Sequence, residues 1–70
     1  MNPTRSNVAV KPSRFWWSVS WIDAEMVKRH GRGEMELLFK RRHRADEFAK
    51  SLLEGATEEV LNKLSESRLS

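Results

Sequence analysis

Two stretches of this chain fit one another in a single antiparallel register, and that match restricts the fold more than any other feature. The run RFWWSVSWID alternates Phe15, Trp17, Val19 and Trp21 with Trp16, Ser18, Ser20 and Ile22, the period-two pattern of a half-buried strand. EMELLFKRR carries Met35, Leu37 and Phe39 on one parity. Setting Trp17 opposite Phe39 brings Val19 opposite Leu37 and Trp21 opposite Met35, so the apolar pairs all share one face. The other face then holds Ser18 opposite Leu38, Ser20 opposite Glu36, Trp16 opposite Lys40 and Arg14 opposite Arg42. Between the strands, AEMVKRHGRG holds two glycines and three Lys or Arg residues and reads as an irregular charged hairpin loop.

A two-stranded hairpin is marginal in water and needs a cover. HRADEFAKSLLEG supplies one: Ala45, Phe48, Ala49, Leu52 and Leu53 fall on one helical stripe, with Gly55 as the stop. Asp46–Lys50 and Lys50–Glu54 are candidate i,i+4 pairs. The tail ATEEVLNKLSESRLS has two readings. Thr57 before two glutamates, Val60, Leu61 and Leu64 suits a capped second helix. A third strand over residues 59–65 would complete the commoner three-stranded sheet, and the reading favours it. The expected fold is therefore α+β: a small antiparallel sheet on one helix in the order β-β-α-β, with β-β-α-α as the alternative. Residues 1–13, which hold both prolines, are expected to be a flexible arm, the alternative being a short edge strand. Residues 14–66 form the domain and 67–70 a frayed tail.

Seventy residues make one small domain, which buries only ~60% of its unfolded surface. The absence of cysteine excludes disulfides and thiolate metal sites and fits a reducing compartment. No apolar run approaches the ~20 residues that span a bilayer, and MNPTRSNVAV lacks the apolar core of a signal peptide. The expectation is a cytoplasmic protein without membrane contact. Catalysis is disfavoured. His30 and His43 sit in the basic runs KRHGR and KRRHR, which repel metal ions, and no phosphate-binding loop or cofactor motif is present. The chain is read as non-enzymatic, without cofactor or metal.

Charge is the functional signal. Residues 1–44 carry ten Lys or Arg against four Asp or Glu, whereas residues 45–70 carry three against six. The hairpin register brings Lys11 and Arg14 beside Lys40, Arg41, Arg42 and Arg44, and Arg5 on the arm can join them. A run of this kind is commonly just a solvated strand end. Trp16 sharpens the functional reading: it falls on the face away from the helix, where it would lie exposed, under Lys40, unless the arm folds over it. Trp17 and Trp21 are expected in the core. The candidate partner-binding residues are thus Arg5, Lys11, Arg14, Trp16, Lys40, Arg41, Arg42 and Arg44.

Two functions suit such a surface, and the first is the favoured reading, because a single-strand platform usually shows two or three exposed aromatics. One is a regulator that binds an acidic protein surface as a monomer or weak dimer. The other is a small module for single-stranded RNA or DNA, in which arginines neutralise phosphates and Trp16 stacks on a base. The order of a polar arm, RFWWSVS, a second strand, RADEFAKSLL and a short tail, with Phe15-Trp16 opening the first strand, resembles the small phage-encoded inhibitors of bacterial host RNA polymerase. That resemblance implies a non-enzymatic protein of the host cytoplasm, with a three-stranded sheet and one helix. It also implies docking on the polymerase through basic residues to block or redirect transcription.

Overall fold

A computed structural model describes residues 5–69. The elements run β1 (Arg5–Ser13), β2 (Trp16–Asp23), α1 (Ala24–His30), β3 (Glu34–Phe39), α2 (Arg42–Leu53) and α3 (Glu58–Glu66). The fold is α+β. One antiparallel sheet in the order β1-β2-β3 is backed on one face by α2, against which α3 packs.

The β2–β3 ladder has the register that the alternation dictates: Trp17 pairs with Phe39, Ser18 with Leu38, Val19 with Leu37, Ser20 with Glu36 and Trp21 with Met35. The helix-facing side of this ladder builds the core. Val19 and Phe39 are fully buried, joined by Trp21, Ala45, Phe48, Ala49, Leu52 and Leu61. The Phe48 ring sits 5.4 Å from Trp21 and 5.2 Å from Phe39, tilted against both, an arrangement aromatic quadrupoles favour. Phe48→Ala would strip the shared member of both ring pairs, in a class of substitution that costs about 3–5 kcal/mol.

The sheet's third strand comes from the opposite end of the chain from the one expected. Residues 5–13 are β1, not a flexible arm; residues 1–4 of that arm lie outside the described residues. β1 adds Val8 and Val10 to the margin of the core, with Val10 opposite Val19 and Pro12 opposite Trp17. A proline argues against a central strand but is tolerated at an edge, and β1 is an edge. The register slips between Ser6 and Ala9, where Asn7 has φ 54°. This bulge inverts the parity of the strand and turns Arg5 towards the helices.

Residues 59–65 are correspondingly helical, not a strand. Thr57 Oγ1 accepts a hydrogen bond from Val60 N–H (3.4 Å), Glu58 and Glu59 occupy the positive first turn, and Leu61 is buried. With β1 completing the sheet, the apolar stripe of the tail is used against α2. The end of the chain is also tied down: Lys40 N–H donates to the Arg68 carbonyl at 2.8 Å, so residues 67 and 68 do not form a frayed tail.

The expected hairpin loop contains a short helix. Asp23 caps α1 by accepting from the N–H groups of Glu25 (2.9 Å) and Met26 (3.4 Å). Gly31, at φ 74°, closes it by donating to Val27 O, a left-handed cap that glycine adopts without a Cβ penalty. Glu25 at the start and Lys28, Arg29 and His30 at the end complement the helix dipole. Gly33 then brings the chain back against Asp23. A Cβ there would lie 2.3 Å from the Asp23 carbonyl oxygen, so a side chain cannot be accommodated without moving β3. In α2, Asp46 turns back to Arg42 (3.7 Å) in place of the expected pairing with Lys50.

Candidate binding surface

The β1–β2 connection is as short as a hairpin allows. Ser13 pairs with Trp16, leaving only Arg14 and Phe15 to reverse the chain. Two-residue hairpins require a positive φ in the turn, a position usually given to glycine or asparagine. Here Arg14 takes it, at φ 56°, a conformation that costs an L-residue roughly 1–2 kcal/mol. The turn therefore holds a charged side chain where a cheaper residue would serve. Beside it Phe15 projects into solvent, 90% exposed.

The β2–β3 ladder delivers the rest of the surface to the same end. β3 finishes opposite the start of β2, so Lys40, Arg41 and Arg42 leave the sheet next to the Arg14-Phe15 turn. Lys11 lies one row further in, opposite Ser18. Lys11, Arg14, Lys40, Arg41 and Arg42 are all exposed. No acidic residue occurs between residues 5 and 22 or between 37 and 45. Among the described residues only Arg42 of these five cations has an acidic partner, the exposed Asp46. Such a pair contributes little in water.

Arg42 has a second contact. Its guanidinium lies 5.2 Å from the centroid of Trp17, within cation–π range. The expected stack of Lys40 on Trp16 is thus replaced by Arg42 on Trp17, and Trp17, expected in the core, is only half-buried. Trp16 is half-buried on the sheet face that α2 and α3 leave uncovered, sharing that face with Ser18, whose hydroxyl donates to Glu36 at 2.7 Å.

Arg5 does not belong to this surface. It pairs with Asp23 at the far end of the sheet, ~23 Å from the turn at ~3.3 Å per residue. Its side chain, 10% exposed, donates to the Ala56 carbonyl and forms an ion pair with Glu58. It ties β1 to the start of α3. Arg44 is half-buried on α2 and sits about 200° round the helix from Arg42, so it stands apart from the exposed group.

Phe15 is the exposed aromatic that the sequence pattern does not single out. Its parity matches Trp17, Val19 and Trp21, which groups it with the helix-facing residues. The signal that separates it is the pairing of β1 with β2, which converts Arg14-Phe15 into a turn. Elsewhere, a shallow recess of about 280 Å³ opens between Met35, Leu37, Leu61 and Asn62. Among the described residues no group of three or more His, Asp or Glu side chains is gathered as a metal site would require. Among the described residues no helix is long and apolar enough to cross a membrane. No protein-family model matches the chain, and comparison with curated proteins and with solved structures gives no match.

Proposed function

We propose that this chain is a non-enzymatic binding module whose ligand is single-stranded nucleic acid, taken at the hairpin-turn end of the sheet. The observation that carries the reading is the juxtaposition of Phe15, 90% exposed, with five exposed cations, four of them without an acidic partner among the described residues. Phosphates answer the cations, and an unpaired base offers a flat face to an aromatic ring; stacking of this kind contributes ~1–3 kcal/mol per base. Phe15 and the half-exposed Trp16 together provide the two aromatic groups that such a platform uses. Lys11 and Arg14 are held by the ladder and the tight turn, so little backbone entropy is lost on binding.

Docking on an acidic protein surface, with host RNA polymerase as the target that the family resemblance suggests, is the second reading. An isolated exposed aromatic on a rigid turn, surrounded by arginines, also suits a protein hot spot. Fluorescence anisotropy with labelled single-stranded and duplex oligonucleotides over a salt series distinguishes the two. Neutralising four or five phosphates gives a log–log salt slope of roughly −3 on single strands, with duplex bound more weakly. Absence of salt-dependent oligonucleotide binding at low ionic strength removes the nucleic-acid reading and leaves the protein partner to be sought.

A further inference from the structure

Cations that hold phosphates and rings that stack on bases do not by themselves distinguish one base from another. That takes hydrogen bonds to base edges, and the open sheet face holds a carboxylate in place beside Trp16. Inward from Trp16, the next residue on this face is Ser18, with Lys11 opposite it on β1 and Leu38 on β3. Ser18 lies ~6.6 Å from Trp16 at ~3.3 Å per residue and is only 8% exposed. Its hydroxyl donates to Glu36 Oε2 at 2.7 Å. Glu36 itself belongs to the following row, opposite Ser20, so this bond draws its carboxylate back towards Trp16. Glu36 is exposed, and among the described residues it forms no ion pair.

We propose that Glu36, positioned by Ser18, makes the site selective for guanine, accepting the N1–H and N2–H of a guanine stacked on Trp16. This rests on the nucleic-acid reading above. Among the common bases guanine alone sets two donors side by side on its Watson–Crick edge, which matches the two oxygens of a carboxylate. Oε2 keeps a second lone pair after accepting from Ser18. Adenine and cytosine place a ring-nitrogen acceptor beside the amino group, and thymine and uracil flank N3–H with two carbonyls. Each of these sets a lone pair against the carboxylate. A negative charge next to a phosphate-binding surface weakens it unless the charge meets a donor on the ligand. Glu34 continues the negative charge further along the same face. Phosphates are therefore kept at the turn, and a base edge is what reaches Glu36.

Fluorescence anisotropy tests the assignment with the full chain and a thymidylate strand of about twelve nucleotides carrying one central guanine. The comparison strands carry adenine, cytosine or inosine at that position. The guanine strand should bind about tenfold more tightly than the adenine or cytosine strand, the discrimination that a bidentate base contact supplies. Inosine lacks the N2 amino group and should lose most of that advantage. Glu36→Gln keeps an acceptor for Ser18 but replaces one carboxylate oxygen by a donor. It should cut the guanine preference to about twofold or less, while strengthening the adenine strand about twofold by removing a negative charge. A folding defect would weaken both strands together, and circular dichroism checks for one. Equal binding of the guanine and adenine strands by the parent, or a preference that survives Glu36→Gln, overturns the role of Glu36 and leaves the nucleic-acid reading standing. Failure of every strand to bind at low salt removes both.

Discussion

The two ends of the sheet treat their charged residues in opposite ways. At the Asp23 end charges are used for structure. Asp23 caps α1, Arg29 lies 4.0 Å from Glu25, and Arg5 is drawn under α3 to Ala56 and Glu58. At the hairpin-turn end, Lys11, Arg14, Lys40 and Arg41 have no acidic partner among the described residues, and the turn keeps a non-glycine residue at positive φ. Stability alone explains the first arrangement. It does not explain the second, because clustered like charges repel and the left-handed Arg14 adds strain. Lys28 and Arg32 at the Asp23 end are also exposed, but no exposed Phe or Trp ring or strained charged residue stands beside them among the described residues. The combination of free cations, the exposed Phe15 and the left-handed Arg14 is the physical case for placing function at the turn.

Substitutions at the two ends should therefore separate binding from stability. Lys40→Glu with Arg41→Glu replaces two exposed cations by anions and is expected to weaken oligonucleotide binding by about 100-fold or more. Its melting temperature should stay within a degree or two of the parent, read by anisotropy and circular dichroism. Phe15→Ala removes the exposed ring and should weaken binding about tenfold, within the range of one lost base stack, again without loss of stability. A marked drop in stability there would mean that Phe15 packs in the core. Arg5→Ala inverts the pattern: stability falls by about 1 kcal/mol, through loss of the buried stem more than of the screened ion pair, while affinity is unchanged. Arg14→Gly has the smallest effect and splits in sign. Relief of the positive φ raises stability by about 0.5–1 kcal/mol, and loss of one cation weakens binding a few-fold, seen by denaturant titration and anisotropy.

What could be read from the residues followed the strength of local alternation. The β2–β3 register was legible because both strands carry three or more large apolar residues on one parity, and a slip by one position would expose all of them. That register also places Arg14, Lys40, Arg41 and Arg42 at one end of the sheet, and Lys11 joins them through β1. β1 was hidden because its apolar content is only Val8, Ala9 and Val10, its proline reads as a breaker, and its bulge interrupts the period. α1 escaped for a different reason. Seven residues are too few for periodicity to register, and its signals were the caps Asp23 and Gly31. Thr57 points to α3, but a third strand from the tail competes with it as long as β1 is hidden in the sequence. Arg5 was misplaced by the same omission, since an arm can reach the turn and a strand paired with Asp23 cannot.

The most direct test of the central claim is an NMR titration of the isotope-labelled chain with a single-stranded oligonucleotide of about twelve nucleotides, a length within the usual site range. The account predicts amide shift changes concentrated in residues 11–18 and 38–43, with residues 5–7, 23–34 and 58–66 unmoved. Changes centred on α1 and the Asp23 end, or a spectrum that does not respond, would contradict it.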